Sequence, residues 1–154
     1  MWTIRAYRSG DRHDLRALAD RLAVGRPSWR DHDRWSRAVR GWVEASIAAA
    51  DEDGHALLVA ERGTDSRLAG FVSVGSRTHF TGDVDAYVGE LAVAAWAEGR
   101  GAGRALLDAA EAWAAAHGYA RLTLETGAAN QRALDFYRRA GYLREDVRLT
   151  KLLD

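Results

Sequence analysis

The residues best suited to chemistry begin with a glycine-rich turn at positions 99–104, which reads Gly-Arg-Gly-Ala-Gly-Arg. A strand-like stretch at 90–93 (Glu-Leu-Ala-Val) precedes it, and an alanine- and leucine-rich helix follows it. The first N–H groups of a helix have no partner within the helix and lie at the positive end of its dipole. The turn is therefore expected to hold an anion, typically a phosphate group.

Two common phosphate-binding loops do not fit this turn. A P-loop requires a lysine after its second glycine, but the only lysine in the chain is Lys151. A dinucleotide-binding fingerprint requires Gly-x-Gly-x-x-Gly, and its third glycine would here be Arg104 or Leu106, depending on the starting glycine. The turn also has no helix–strand repeat ahead of it. Both of these readings fail.

The turn and a second motif downstream resemble the GNAT superfamily of N-acetyltransferases. The family's loop, Arg/Gln-x-x-Gly-x-Gly/Ala, is matched by the Gly-Ala-Gly at 101–103, and two leucines follow at the family's spacing. Its downstream signature, Asn-x-x-Ala-x-x-x-Tyr-x-x-x-Gly-Phe/Tyr, is matched by Asn130, Ala133, Tyr137, Gly141 and Tyr142. A Gly-x-Gly alone is weak evidence, whereas two motifs in the right order and spacing are specific.

One position of the loop departs from the family pattern. Glu98 stands where the family usually has Arg or Gln, and an acidic side chain directed at a pyrophosphate would repel it. The loop acts mainly through backbone N–H groups, and Arg100 and Arg104 flank it with the opposite charge. We therefore expect the Glu98 side chain to point to solvent.

The resemblance implies a fold and a co-substrate. The fold is a mixed, mostly antiparallel α/β sheet splayed between its fourth and fifth strands. The co-substrate is acetyl-CoA, with its pantetheine arm in the gap and its pyrophosphate on the glycine-rich turn. The implied cofactor contacts are Leu91, Ala92, Val93, Gly99, Arg100, Gly101, Ala102, Gly103, Arg104, Asn130 and Tyr137.

Acetyl transfer to an amine requires a base, an oxyanion donor and an acid for the leaving thiolate. The resemblance assigns the base to Glu90, which needs partial burial or a water relay because an ordinary glutamate is a weak base. It assigns the acid to Tyr137, and a backbone N–H near Leu91 or Ala92 is the candidate oxyanion donor. Structural alternatives are a salt bridge for Glu90, core packing for Tyr137 and a helix N-cap for Asn130.

The acceptor is expected to be a small cationic amine such as an aminoglycoside or a polyamine. GNAT acceptors commonly sit near the break between the first two helices, where Trp29 lies, and acidic residues gather on that side. The predicted substrate contacts are Trp29, Asp31, Asp83, Asp85 and Glu90. Ordinary solvated loop acids explain the same pattern. A protein N-terminal or lysine acetyltransferase and a non-catalytic acyl-CoA-binding module are the alternative functions.

Composition narrows the classes of partner. The 154 residues fit a single domain, 1–154, and 22 basic residues balance 22 acidic ones, which argues against nucleic acid as a partner. The absence of cysteine excludes disulfides and a thiolate nucleophile, and the five scattered histidines predict no metal site. No apolar run approaches the roughly 20 residues that span a bilayer, so we expect a cytoplasmic protein without a membrane partner. A homodimer is left open.

The elements that position these residues follow from hydrophobic periodicity. Strands are predicted at 3–8, 55–61, 68–77, 85–94, 120–126 and 145–152, with a hairpin turn at 63–66. Helices are predicted at 11–24, 33–50, 103–117 and 130–140. The second helix has an apolar face that contains Trp35, Val39, Trp42, Val43 and Ile47. The resulting order, β-α-α-β-β-β-α-β-α-β, is the GNAT order.

Overall fold

Five strands form one sheet with helices on both faces in the computed structural model, which describes residues 1–63 and 65–154. The strands are β1 (Trp2–Ala6), β2 (Ala56–Arg62), β3 (Leu68–Thr78), β4 (Val84–Val93) and β5 (Leu122–Leu124). The helices are α1 (Arg12–Leu18), α2 (His32–Ala48), α3 (Ala102–Ala116) and α4 (Gln131–Arg139). The predicted GNAT-like α/β class is confirmed. Thr64, in the predicted hairpin turn, lies outside the described residues.

The strands lie side by side in chain order, and the sheet divides between β4 and β5 as predicted. The first four strands are antiparallel neighbours, whereas β5 runs parallel to β4 because α3 connects the two strands as a crossover. Pairing between β4 and β5 covers only three residues, from Ala86 opposite Leu122 to Val88 opposite Leu124. Beyond Val88 the remainder of β4 pairs with β3 alone, which leaves a gap beside it.

The hydrophobic core fills both faces of the central strand β3. Residues 68–75 of this strand are all buried, and Phe71 is completely inaccessible. Helices α1 and α2 cover one face, and α3 covers the other with Leu106 and Leu107. A strand buried on both faces reads as a nearly continuous apolar run, as this one does. Within the described residues, no helix is long and apolar enough to cross a membrane.

The predicted last strand, 145–152, is wrong for the single chain. Residues 143–154 have no regular secondary structure, and each of them is exposed. The segment keeps the alternating pattern that predicted a strand, but a strand exists only when a neighbouring strand accepts its hydrogen bonds. Here β5 pairs only with β4.

Two helical details also differ from the predictions. The first helix ends at Leu18, and Ala19–Gly25 continues as a 3₁₀ helix, whose tighter turn changes the direction of each following side chain. In α2, Trp42 is 50% exposed. The buried stripe of α2 instead uses two serines together with the predicted apolar residues; it consists of Ser36, Val39, Val43, Ser46 and Ile47.

Candidate active site

A β-bulge in β4 sets the direction of Glu90. Ser73 pairs with Glu90 while the next residue, Val74, pairs with Val88, so Gly89 is the extra residue. The bulge lies at the point where pairing with β5 ends. A Cβ on Gly89 would lie 2.8 Å from Ser73 Oγ, so a larger residue here would displace the Ser73 hydroxyl. The result is a Glu90 side chain directed at the α2 face of the sheet.

The Glu90 carboxylate is buried and bound by two hydroxyl groups. Ser46 Oγ of α2 donates a hydrogen bond to one carboxylate oxygen at 2.7 Å, and Ser73 Oγ donates to the other. The backbone N–H of Glu90 donates to Ser73 Oγ at 3.0 Å. Glu90 is only 6% exposed. Together these contacts fix the orientation of the carboxylate between a strand and a helix.

The electrostatic environment of the Glu90 carboxylate is suited to a group that accepts a proton. Burial raises the pKa of its carboxyl, against smaller opposing effects of the Ser73 and Ser46 hydrogen bonds and of His55. Among the described residues Glu90 has no ion-pair partner, which removes the salt-bridge interpretation. A carboxylate with a raised pKa and no cation to hold its charge binds a proton more readily than an exposed one.

Three neighbouring side chains share this face and were not anticipated from the sequence. Tyr87 pairs with Gly75 on β3 and lies on the Glu90 side because of the bulge. The guanidinium of Arg77 stacks 3.6 Å from the centre of the Tyr87 ring and donates to Glu125 at 2.9 Å. The ring of His55 lies 3.1 Å from where a Gly75 Cβ would be.

The open edge of β4 presents alternate backbone groups to the gap. Val93 O accepts a hydrogen bond from Arg21 Nε at 3.0 Å, whereas Ala94 N–H donates at 2.7 Å in the opposite direction, to Ala69 O of β3. Because backbone groups alternate along an antiparallel strand, Leu91 faces the gap with Val93, and Ala92 faces β3. The geometry therefore favours Leu91 and Val93 over Ala92 as the residues whose backbone groups are available to the pantetheine arm. It also favours the Leu91 N–H as the oxyanion donor.

The glycine-rich turn leaves N–H groups free at the start of α3. Gly99 and Gly101 have positive φ values of 69° and 88°, a conformation that favours glycine. The Arg100 carbonyl accepts a hydrogen bond from the Trp2 indole at 2.8 Å, which ties the turn to β1. The first bond of α3 runs from Ala105 N–H to Gly101 O, so the N–H groups of residues 102–104 have no partner among the described residues. Gly101, as N-cap, has no side chain to satisfy them.

Helix α4 packs over this turn and carries Tyr137. The space above Gly103 is closed by Val93 and Phe136, since a Cβ there would lie 3.4 Å and 3.7 Å from their side chains. Tyr137 lies edge-on to Phe136 with ring centres 5.2 Å apart. Burial raises the pKa of the Tyr137 phenol to about 12, so the phenol keeps its proton at neutral pH. Asn130 is the N-cap of α4, because its Oδ1 accepts the Ala133 N–H at 3.1 Å.

Glu98 is held by two arginines, and the expectation that it points to solvent is wrong. Its carboxylate pairs with Arg21 of the 3₁₀ segment after α1, and with Arg132 of α4 at 2.8 Å. Arg21 also donates to Val93 O. One carboxylate therefore connects three segments around the gap and draws two positive charges toward the glycine-rich turn.

Two of the predicted acceptor carboxylates lie away from the gap. Asp85 is buried and pairs with Arg121 at 2.6 Å, and Asp83 pairs with the same arginine at 3.5 Å. Asp85 lies in β4 at the end where β5 is paired, and Asp83 lies in the loop just before this strand, so neither is at the open end. Arg121 offsets one of their two negative charges, so their contribution to the field that was expected to attract a cation is reduced.

Two further predicted acceptor contacts, Trp29 and Asp31, lie in the loop before α2. Trp29 is exposed, as expected for a side chain that meets a ligand from solvent. Asp31 is the N-cap of α2. Its carboxylate accepts a hydrogen bond from the backbone N–H of Arg34 at 2.8 Å, and this bond lowers the pKa of Asp31.

Among the described residues, no three His, Asp or Glu side chains come together as metal ligands would.

Sequence reasoning missed six residues of this region: Ser46, Ser73, His55, Arg77, Tyr87 and Arg21. The two serines carried a signal, since each interrupts an otherwise apolar, buried stretch: the inner stripe of α2 and the run of β3. A small polar residue at such a position needs a hydrogen-bond partner. Arg21 and His55 carried no signal, because their partners are distant in sequence.

The sequence of this chain matches the model of a known protein family. The family model of the acetyltransferase (GNAT) family matches residues 14–142. No curated protein sequence matches the chain.

Solved structures share the whole fold at low identity. A protein from Pyrococcus furiosus described as an acetyl transferase superposes with a TM-score of 0.77 at 21% identity, covering 99% of this chain and 100% of that one. AAC(6')-Iy, solved with the bisubstrate analogue CoA-S-monomethyl-acetylneamine, gives 0.68 at 18% identity, with 100% and 99% covered. Glucosamine-6-phosphate N-acetyltransferase from Arabidopsis thaliana gives 0.65 at 16%, with 100% and 99% covered. Since the family model spans most of the sequence, the chain belongs to the GNAT family of acetyltransferases.

Proposed function

We propose that this chain is an acetyl-CoA-dependent N-acetyltransferase that acts by direct attack of a primary amine within a ternary complex. The observation that carries the proposal is the Glu90 carboxylate. It is buried, free of any cation among the described residues, oriented by two hydroxyl groups, and placed on the strand that borders the gap. A structural glutamate in the same place would be expected to have a cationic partner.

The chain's residues fit acetyl-CoA at both ends of the gap. The free N–H groups of residues 102–104 fit a pyrophosphate, and the glycines leave room for close approach. Leu91 and Val93 offer backbone groups to an extended amide chain, provided that Arg21 releases Val93 O. When bound, acetyl-CoA supplies the acetyl thioester, whose carbon forms the C–N bond as the C–S bond breaks.

The protein's own groups account for both protons. Glu90 accepts the proton from the amine nitrogen, and its raised pKa makes it a stronger base than an exposed glutamate. The Leu91 N–H donates to the oxygen that gains negative charge. Tyr137, still protonated at neutral pH, donates its phenolic proton toward the departing sulfur. A cationic amine loses two protons as it becomes an amide: Glu90 accepts the first before attack, and the second leaves the nitrogen as the C–N bond forms and replaces the proton that Tyr137 gave to sulfur. Glu90 then releases its proton to solvent, so each turnover yields the amide, the free thiol of CoA and one proton.

The acceptor we propose is a small cationic amine such as an aminoglycoside or a polyamine. Two structural neighbours support an amine of this size, because their names refer to glucosamine-6-phosphate and to an acetylneamine analogue. Within the chain, support comes from the exposed Trp29 and Asp31 in the loop before α2 and from the Glu90 carboxylate.

A non-catalytic acyl-CoA-binding module is the second candidate. It is favoured by the two hydroxyl groups that already occupy the Glu90 carboxylate, one from Ser46 and one from Ser73. In that case Glu90 would serve only as a buried hydrogen-bond acceptor for Ser46 and Ser73.

The test is a thiol-release assay with acetyl-CoA against a panel of aminoglycosides, polyamines and peptides. Turnover with at least one amine, and a Tyr137→Phe variant with lower kcat but nearly unchanged acetyl-CoA affinity, are the expected results, since only the proton donor is removed. Turnover with peptides alone would favour a protein acetyltransferase. If no amine is acetylated while acetyl-CoA still raises the Tm, the binding module replaces the enzyme.

A further inference from the structure

A tryptophan of β1 holds the glycine-rich turn from the side opposite the gap. Trp2 Nε1 donates a hydrogen bond of 2.8 Å to the Arg100 carbonyl oxygen, 98 positions away in the sequence. The indole of Trp2 packs against Trp96, which lies in the short 3₁₀ helix before the turn, with ring centres 5.9 Å apart. The Arg67 guanidinium lies 4.6 Å from the centre of the Trp96 ring. These contacts fix the position of the indole N–H relative to the turn.

The peptide that Trp2 contacts is the central peptide of a type II turn. Gly101 has φ 88° and ψ 0°, close to the values of roughly +80° and 0° for the third residue of such a turn. The third residue of a type I turn has φ of about −90°, so the two turn types differ by turning over the peptide that precedes this residue. In this chain that peptide consists of the Arg100 carbonyl and the Gly101 N–H.

The direction of this peptide decides which of its atoms meets an anion. The C=O and N–H groups of a trans peptide point in opposite directions, so the bond from Trp2 to the Arg100 carbonyl directs the Gly101 N–H away from β1. The strand β1 is the farthest from the gap in the order β1-β2-β3-β4-β5. The Gly101 N–H, which has no partner among the described residues, therefore joins the free N–H groups of residues 102–104. If the peptide turned over, a carbonyl oxygen would take its place and repel a phosphate.

We propose that Trp2 is a positioning residue for CoA, because its indole N–H selects the peptide orientation in which the turn offers the Gly101 N–H to the pyrophosphate. Glycine adopts both signs of φ readily, so Gly101 by itself does not select this orientation. Trp2 acts only through the Arg100 carbonyl. The inference rests on the proposed function, since it takes the pyrophosphate of CoA as the ligand of the turn.

The test is a double-mutant cycle on CoA affinity, measured by calorimetric titration of the full chain. Trp2→Phe keeps a ring against Trp96 and removes the N–H, so the Kd for CoA should rise roughly two- to tenfold, the effect of one hydrogen bond. Gly101→Ala has room, because its Cβ would lie 3.9 Å from Trp2 Nε1, but it disfavours the positive φ and should weaken CoA binding at least as much. With the peptide already turned over in Gly101→Ala, adding Trp2→Phe should change the Kd little further.

Trp113→Phe is the matched control for the loss of an indole. Trp113 lies in the last turn of α3, where its ring stacks on His117 and Tyr119 at the opposite end of the helix from the glycine-rich turn. This substitution should leave the CoA affinity unchanged. The backbone amide of Gly101 gives a spectroscopic readout: its proton resonance should move to lower field when CoA binds to the wild type, and by much less in Trp2→Phe.

Three results would overturn this inference alone. Equal CoA affinity in the wild type and in Trp2→Phe means that the indole N–H does not select the peptide orientation. Additive losses in the double variant mean that Trp2 and Gly101 act separately. An equal loss in Trp113→Phe means that any removed indole weakens binding. Absence of CoA binding in the wild type would overturn the proposed function as well, whereas missing turnover bears on the proposed function only, because CoA affinity does not depend on acetyl transfer.

Discussion

Two glutamates eight positions apart, Glu90 and Glu98, border the same gap in opposite electrostatic settings. Glu90 is buried, receives hydrogen bonds from neutral hydroxyls, and has a raised pKa. Glu98 is about one-third exposed and is held by Arg21 and Arg132. A paired carboxylate cannot easily take a proton, whereas an unpaired, desolvated one can. The difference supports the proposal that Glu90 acts as the base, and it predicts that Glu98 tunes anion binding at the neighbouring turn.

The largest expected effect is the loss of rate in Glu90→Gln. A positioned base contributes roughly 10²- to 10⁴-fold, so kcat near neutral pH should fall by about that factor and recover partly at high pH, where the amine loses its proton unaided. A pH–rate profile checks this. In the wild type the acidic limb should lie above the ordinary range of glutamate, because burial raises the Glu90 pKa. Glu111→Gln, which keeps an acceptor for Tyr142, is the matched control.

If the acceptor KM of Glu90→Gln exceeds that of the wild type by a factor that grows at low ionic strength, with kcat unchanged, Glu90 is instead a site of charge attraction. The Glu90 pocket would then have no chemical role, and the distinction between the two glutamates would disappear.

The second-largest expected effect is on CoA binding at the glycine-rich turn. Gly103→Val should weaken CoA binding roughly tenfold or more, because the added methyl groups press on Val93 and Phe136 and shift the first turn of α3. Calorimetric titration measures the affinity, and saturating acetyl-CoA should restore most of kcat. Gly41→Val is the control, since that helical glycine has open space around it. Wild-type affinity in Gly103→Val would remove the pyrophosphate from this turn.

A smaller effect is expected when Glu98 is neutralised. Glu98→Gln releases Arg21 and Arg132, so CoA affinity should rise roughly two- to fivefold at low salt and less at high salt. Glu44→Gln breaks a comparable pair with Arg16 on α1 and α2 and should leave CoA affinity unchanged. Weaker CoA binding in Glu98→Gln would show that the carboxylate supports the binding conformation instead of competing with phosphate.

The smallest effect is a difference of sign in thermal stability. Burial raises the Glu90 pKa, so ionised Glu90 destabilises the folded state at neutral pH, and this cost disappears as the pH falls toward the ordinary glutamate range of about 4. Glu90→Gln should therefore raise the Tm at pH 7, with a gain that shrinks toward low pH. Glu98→Gln should lower the Tm by roughly 1–4 °C, because it loses two partly exposed ion pairs. Scanning calorimetry across pH measures both, and equal signs would contradict the comparison.

Local signals predicted the elements around the glycine-rich turn well. Periodicity and end signals located α3, the N-cap Asn130 and the positive φ of Gly141, because all of these depend on neighbours within a few residues. The arginine bridge could not be predicted in this way, since Arg21 reaches Glu98 across 77 positions. The same holds for Ser46, which reaches Glu90 across 44 positions. A strand was predicted at 145–152 because the alternating pattern is local, whereas the presence of a neighbouring strand to pair with it is not.

The single extra residue at Gly89 has a consequence for how the sheet is divided. It shifts the register of β4. Residues 86–88 before it pair with both β3 and β5, whereas the residues after it pair with β3 alone. A bulge also bends its strand and increases the local twist, which carries the far half of β4 away from β5. Deletion of that one glycine would restore regular alternation along β4 and remove the bend, so it is expected to narrow the cleft.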